Sequence, residues 1–425
     1  MDDEFETVTI PNLTKFVTDC FLALSVPKIQ SEIMAASIVE ADVMGRNCEG
    51  LFTLETCIMD IYSGLIDTKA SPKIDKESPA TAWVNGNNAL GPVVAKFCMK
   101  LAIQKAKLVG TAIIVAKHSN QFGTAARYAK LALEEGLIGW ACSNTHPYMV
   151  PNRAKYACIG TNVLSVGAPG LFGDYFLLDM STSAISPNSV TVKGYKEEFL
   201  PVGLALNAAG LAETNSDVAA KTKNFLPLGS EESSSSYKGT GLSMMIDILC
   251  GVLGGSYYSS EVGIVRTEFL NKRANISHCF IVINPKYFAP GFEMRANSFL
   301  TYLRNLEPLD PMRPVKVSGD GSRDVFKLVE KNGGLRYPKY LIDSVNKIAK
   351  MLKVKPLQVI PKPTAVMLTP SQELAVRLEM EERAKRVMEE ESISVDVAVE
   401  DLESVAGSMH SVFDIEEDPS EWMLR

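Results

Sequence analysis

The stretch that decides the fold runs from residue 91 to residue 147: GPVVAKFCMKLAIQKAKLVGTAIIVAKHSNQFGTAARYAKLALEEGLIGWACSNTHP. It opens on a predicted helix, Gly91 to Val109, with Val94, Phe97, Leu101 and Ala102 on one face and Gly110 as its stop. Thr111 to Ala116 is a short apolar run bounded by Gly and by polar residues, which reads as a buried strand. A polar loop, residues 117–121, leads into a second helix from about Gly123 to Glu135. A second strand, Leu137 to Cys142, ends in the turn Ser143-Asn-Thr-His-Pro147. Helix, strand, loop, helix, strand is the rhythm of an α/β layer structure. Ligands of such sheets tend to sit beyond the strand ends, where both polar turns lie.

Upstream, residues 12–44 read as two helices broken at Pro27, with Phe16, Cys20 and Leu24 at helical spacing and Gly45 as the stop. A loop, residues 46–49, precedes an amphipathic stretch from Phe52 to Ile61. Residues 1–80 thus form a helical region. Downstream, strands are expected at Phe176–Asp179, Val190–Val192 and Cys279–Ile283, and helices over 298–306 and 338–352. The apolar stretch Gly241 to Tyr258 is interrupted by Asp247 and reads as a buried helix rather than a bilayer span. Gly319-Asp-Gly321 reads as a turn. The expected organisation is a helical region, 1–80, packing with 298–360, an α/β domain over 81–297, and an acidic tail from 371 to 425.

The chain has 425 residues and a net charge of −7. From Ser371 onward 16 acidic and 5 basic residues give −11, so the remainder carries +4. The acidity belongs to the tail, for which a charged helix over 371–391 and then disorder are expected. Phe413 and Trp422 are the candidate anchors if that tail docks on a partner protein. No basic run supports nucleic-acid binding. The acidic start MDDEFETVTI is unlike a signal peptide. Eight cysteines without a CxxC pair, mostly in apolar runs, fit a reducing, cytoplasmic setting. There is no GxGxxG after a strand, no GxxxxGK[ST], no HExxH and no GxSxG, and the four histidines are too dispersed for a histidine-rich metal site.

Five ordered blocks carry a resemblance. They are WVNGNNALGPVVAKFCMKLAIQKAK (83–107), HSNQFGTAARYAKLALEEGLIGWACSNTHP (118–147), IGTN (159–162), LLDMSTS (177–183) and YKGTGLSMMIDILCGVLGG (237–255). Together they resemble the malate/L-lactate dehydrogenase family over roughly residues 8–360. The resemblance implies a non-Rossmann α/β fold with a helical N-terminal region and a mixed-sheet cofactor domain. It also implies a homodimer that uses NAD or NADP to interconvert 2-oxo and 2-hydroxy acids. The block Asp179, Met180, Ser181, Thr182, Ser183 matches the family's cofactor-binding DMxTS, where small hydroxyls and backbone amides suit pyrophosphate oxygens. Lys238 and Gly239 match its KG pair, an ammonium beside a residue that lets backbone approach a phosphate. Ser143, Asn144 and Thr145 match the turn near the nicotinamide.

Two blocks depart from the family pattern. Its SHGxxR is Cys48-Glu49-Gly50-Leu51-Phe52-Thr53 here, so Glu49 stands for the histidine and Thr53 for the arginine that grips a carboxylate. Its SNHFG is Ser119-Asn120-Gln121-Phe122-Gly123, so Gln121 stands for the second histidine. Histidine suits proton transfer at neutral pH, and glutamine cannot release a full proton. Losing a general acid costs about 100- to 10,000-fold in rate. Thr53 cannot make the bidentate pair that arginine makes with a carboxylate. Two like charges about 4 Å apart at an effective dielectric of about 20 repel by roughly 4 kcal/mol, so an ionised Glu49 opposes an anionic substrate. His146 is the better replacement donor and His118 is expected to point elsewhere, while Arg46 is placed to neutralise Glu49 or to bind substrate beside Cys48. Two readings follow: an oxidoreductase with a changed, neutral or cationic substrate and Glu49 as proton donor, or a non-catalytic relative that binds nucleotide or a partner.

Overall fold

The computed structural model describes residues 5–262 and 273–361. The expectations for the tail, including Phe413 and Trp422, lie outside the described residues. In chain order the elements are β1 (Phe5–Val8), α1 (Ile10–Ala23), α2 (Lys28–Val43), two 3-10 turns (Asn47–Glu49 and Leu51–Thr53), α3 (Leu54–Tyr62), β2 (Lys73–Glu77), β3 (Thr81–Asn85) and α4 (Gly91–Val109). Then come β4 (Thr111–Ser119), α5 (Ala126–Leu133), β5 (Ile138–Ser143), β6 (Val163–Pro169), β7 (Tyr175–Ser181), α6 (Pro187–Tyr195), α7 (Ser216–Thr222) and α8 (Tyr237–Asp247). The set closes with β8 (Ile276–Ile283), α9 (Phe292–Arg304), α10 (Asp320–Lys331), β9 (Leu335–Pro338) and α11 (Lys339–Leu352).

The helix α4 follows from its sequence. Pro92 stands in the first turn, where a missing N–H costs nothing, and Gly110 takes the left-handed conformation (φ 91°) that closes the last turn. Its inner face buries Val94, Cys98, Met99 and Ala102 against the sheet. The sheet has seven strands in the order β2-β3-β4-β8-β5-β6-β7. Only β3 and β4 run parallel, with α4 as the crossover between them. The other neighbours are antiparallel. This mixed order differs from a doubly wound nucleotide-binding sheet.

A second core joins the N-terminal helices to residues 325–357. β1 pairs antiparallel with β9, Phe5 opposite Pro338 and Val8 opposite Leu335. Leu13, Phe21, Leu54 and Ile58 are buried there with Ile342, Val345 and Ala349 of α11. Truncating a fully buried leucine or phenylalanine such as Leu13 or Phe21 to alanine costs about 2–5 kcal/mol. Residues 298–360 do not act as one block: α9 lies on β6 and β7, whereas α10, β9 and α11 lie with the N-terminal helices.

Several local expectations are corrected. Val190–Val192 is not a strand but part of α6, because Ser186 accepts a hydrogen bond from the Ser189 N–H and Pro187 opens the first turn. That cap outweighs the strand preference of three residues. The loop expected at 117–121 begins later, since Lys117, His118 and Ser119 belong to β4, with a register irregularity and φ 51° at His118. The stretch 241–258 is helical through a π-turn, Ile248–Val252, but it is not buried all round. Met244, Ile248, Val252 and Leu253 are each more than half exposed. Strands β1, β2, β3, β6 and β9 were not expected from the sequence. Among the described residues no helix is long and apolar enough to cross a membrane.

Candidate functional site

The turn that carries Cys48, Glu49 and Thr53 is fixed from below by Asp42. The Leu51 N–H (2.8 Å) and the Tyr337 hydroxyl (2.7 Å) both donate to Asp42 Oδ2. A Cβ on Gly50 would fall 2.1 Å from Asp42 Oδ1, so only glycine fits there. Burial pushes the Asp42 carboxyl up to about 7. Asn188 at the start of α6 donates to the Cys48 carbonyl (2.8 Å), and the Cys48 thiol sits between the hydroxyls of Ser186 and Ser189. Burial and then Glu49 push that thiol up. Thr53 turns its hydroxyl back to the Gly50 carbonyl (2.8 Å).

Arg46 and Asp179 organise the space above this turn. Arg46 Nε lies 3.0 Å from Asp179 Oδ2, and its Nη2 donates to the Asp179 carbonyl at 2.7 Å. Thr124 Oγ1 (3.1 Å) and the Ala126 N–H (3.2 Å) also donate to the Asp179 carboxylate. Asp179 opens the expected cofactor-binding block, and its carboxylate is held by Arg46, by Thr124 and by the N-terminus of α5. Glu49 is half-buried in the same place. Burial, then the Asp179 charge, push it up to about 7, against the opposing pull of Arg46 and a hydrogen bond with Thr124. The two carboxylates together hold a proton more firmly than either does in water, because burial disfavours the charged forms and the two like charges repel, and Arg46 offsets this only in part. Thr124 stands three residues after Gln121, so the loop of Gln121 meets the turn of Glu49. The Gln121 side chain is exposed.

The other blocks converge at the far end of β7. Thr182 donates from its N–H (2.9 Å) and hydroxyl (3.0 Å) to the Thr161 carbonyl. The Thr145 N–H donates to Asn162 Oδ1 (2.9 Å). Asn162 Nδ2 donates to Ser243 of α8 (2.9 Å to the carbonyl). The Leu228 N–H donates to the Thr182 carbonyl (2.8 Å), and the Gly239 N–H donates to the Leu228 carbonyl (3.2 Å). Asn144 is fully buried; it donates to the Tyr257 carbonyl (2.8 Å) and accepts from the Ser277 N–H (2.8 Å). The close approach anticipated at Gly239 is therefore to the chain's own backbone, where a Cβ would fall 2.3 Å from Leu228 N. The amides at 182 and 239 are likewise bonded internally. The groups left facing outward are the Lys238 ammonium, which is exposed, and the half-buried Ser181 hydroxyl beside Ser183 Oγ (3.1 Å). Met180 is half-buried on the same strand, and His146 lies against Tyr148 with ring centroids 5.6 Å apart. His118 Nδ1 faces Asn85 Oδ1 at 3.3 Å.

A residue that sequence reasoning passed over links the halves. His278 of β8 is fully buried, with Nε2 2.8 Å from Ser119 Oγ and Nδ1 2.8 Å from Ser143 Oγ. Phe122 stacks on it at 4.6 Å. Burial pulls its pKa down to about 3, so it is a neutral bridge. It ties the strand end before Gln121 to the strand end that opens the 143–145 turn. No local signal marks it, because its partners lie 135 and 159 residues away in sequence. Asp42, Thr124 and Asn162 were missed for the same reason.

A mixed, mostly antiparallel sheet with no glycine-rich phosphate loop among the described residues, flanked by a helical layer that joins the N-terminal helices to residues 320–352, is a non-Rossmann α/β architecture. The chain belongs to the malate/L-lactate dehydrogenase family, whose model matches residues 8–346. It is 32% identical to a malate dehydrogenase of Pyrococcus abyssi over 364 residues, 84% of this chain and 98% of that one. It is 32% identical to an L-sulfolactate dehydrogenase of Methanocaldococcus jannaschii over 302 residues, 70% of this chain and 84% of that one. The solved malate dehydrogenase of Pyrococcus horikoshii superposes with a TM-score of 0.76 at 29% identity, covering 84% of this chain and 98% of that one.

Proposed function

We propose that this chain keeps the nicotinamide-dependent architecture of its family and no longer reduces anionic 2-oxo acids efficiently. The observation that carries this is the state of Arg46. It is the one cation among the candidate substrate residues Arg46, Cys48, Glu49, Thr53 and Gln121, and Asp179 occupies it in two places. An incoming carboxylate meets an arginine whose Nε and Nη2 are already held by Asp179, and it lies near the Glu49–Asp179 pair. The remaining cofactor-side groups, Lys238 and Ser181, fit the phosphates of NAD or NADP through side chains rather than amides. A bound nicotinamide supplies the hydride; the proton and the grip on the substrate must come from this chain.

The Glu49 environment favours a second reading. A carboxyl at about 7 is half protonated at neutral pH, which suits a general acid. Glu49 then donates to the oxygen or nitrogen of a neutral or cationic carbonyl or imine. We further propose a homodimer that covers the apolar side of α8 and the following π-turn. Sedimentation equilibrium tests that assembly, and a monomer at micromolar concentration overturns it.

One experiment separates the catalytic readings. The protein is titrated with NADH and NADPH by nucleotide fluorescence, then assayed with 2-oxo acids, neutral ketones and cyclic imines. Binding with no turnover of 2-oxo acids supports the first reading. Turnover of a neutral or cationic substrate that fails as pH rises past 7 and is lost in Glu49→Gln supports the second. Brisk malate-type turnover refutes both. The combined Glu49→His, Thr53→Arg and Gln121→His variant should gain 2-oxo acid reduction, and an inert but cofactor-binding variant removes the site assignment.

A further inference from the structure

Beneath the substrate turn lies a buried acid that the proposed chemistry does not use. Asp42 is 1% exposed and belongs to the last turn of α2. Its two hydrogen bonds both end on Oδ2, one from the Leu51 N–H of the turn and one from the Tyr337 hydroxyl of β9. Oδ1 is buried without a hydrogen-bond partner and faces Gly50. Among the described residues Tyr337 is the one titratable group bonded to this carboxyl, and no lysine, arginine or histidine is paired with it. The charged and titratable groups of the turn engage elsewhere. Arg46 pairs with Asp179, Glu49 with Asp179 and Thr124, and Cys48 with Ser186 and Ser189. From α10 the apolar Val325 packs into the same corner, against Gly45.

Three effects compete over the charge of Asp42. Its two hydrogen bonds favour the carboxylate. The C-terminal end of α2 carries the negative pole of the helix and opposes it. Burial without a cation opposes it as well. Burial wins, and pushes the carboxyl up to about 7 against both hydrogen bonds. Neutral, the side chain is a strut between α2, the turn and β9. Ionised, it is an uncompensated buried charge. The turn consists of two short 3-10 segments joined at Gly50, so lifting it is the most direct way to let water reach that charge.

We propose that Asp42 is a proton-dependent positioning residue: protonated, it holds the turn of Cys48, Glu49 and Thr53 in place beneath Arg46 and Asp179, and on ionising it releases that turn. The consequence for catalysis rests on the reading that this turn faces the substrate; the release itself does not. The closed turn keeps a proton that a hydrated Asp42 gives up between 3.8 and about 7. Opening therefore becomes easier as pH rises through that window, by up to about tenfold per pH unit for one proton, and levels off above it. Hydrogen exchange followed by NMR tests this on the full chain, in Glu49→Gln so that the neighbouring carboxyl does not titrate. The Leu51 amide is the reporter, its exchange rate divided at each pH by that of an unfolded peptide. From pH 5 to pH 7 this opening constant should rise by about thirtyfold or more, and it should not respond to low urea, the mark of a local opening. Adding Asp42→Asn should leave the profile flat. No rise in Glu49→Gln, or an equal rise in both proteins, would overturn the proposal. Should Asp42→Asn not fold, the Asp42 carboxyl carbon signal of Glu49→Gln decides alone. A chemical-shift midpoint near the pH where the rise levels off supports the proposal, and a midpoint at the ordinary carboxylate value overturns it. Turnover enters none of these measurements, so a failure of the proposed function and a failure of this device are told apart.

Discussion

Replacing Glu49 by glutamine should change how stability depends on pH, and the sign follows from the geometry. Glu49 titrates at about 7 in the fold against an ordinary value of 4.5. The folded chain therefore binds a proton between pH 4.5 and 7 that the unfolded chain has released. The stability that Glu49 contributes is fully present below pH 4.5 and is lost as pH rises through 7. That gap corresponds to roughly 3 kcal/mol. Glutamine keeps the shape and the hydrogen bond with Thr124 but has nothing to titrate. Asp42 and Asp60 change in the same direction, to about 7 and about 6, and Asp179 and Asp247 are raised as well, so the wild-type curve contains several groups, and the difference between wild type and Glu49→Gln reports Glu49 together with the Asp179 carboxyl that shares its proton. Urea unfolding at pH 5 and pH 8 measures it. Glu49→Gln should gain on wild type by about 2–3 kcal/mol on going from pH 5 to pH 8. If the two proteins lose stability in parallel over that range, Glu49 is not held beside Asp179 as described.

Other consequences are equally open to test. Asp179→Asn removes the partner of Arg46 and weakens the cap on α5, and chemical denaturation should register a loss of about 1–3 kcal/mol. His278→Leu leaves the buried hydroxyls of Ser119 and Ser143 without their bridge; a loss of about 2–4 kcal/mol is expected in the same assay. In the wild-type protein the His278 ring signals in NMR should stay unchanged from pH 8 down to pH 5, since the ring titrates at about 3. Gly50→Ala drives a methyl group into Asp42 and should cost about 2 kcal/mol or more, with thermal melting as the readout.

The sequence on its own determined the elements whose start, period and stop are all local. The helix α4 runs from the Gly-Pro at its head to the glycine at its foot, and α1 and α2 part at Pro27 because helical spacing and proline act within a few residues. The family was legible because five blocks in order carry far more information than any one of them. Strands such as β6 and β9 were not legible, since pairing with β5 and β7, or with the distant β1, supplies their hydrogen bonds. Val190–Val192 misled because three β-branched or neighbouring residues say strand while Ser186 and Pro187 start a helix. At the site, the sequence named the unusual residues Glu49, Thr53 and Gln121, but their environment is tertiary. Only folding brings Asp179 across 133 residues to hold Arg46, and Tyr337 across 295 residues to hold Asp42. Charge, burial and hydrogen-bond partners depend on distance in space, and a linear sequence fixes distance only between near neighbours.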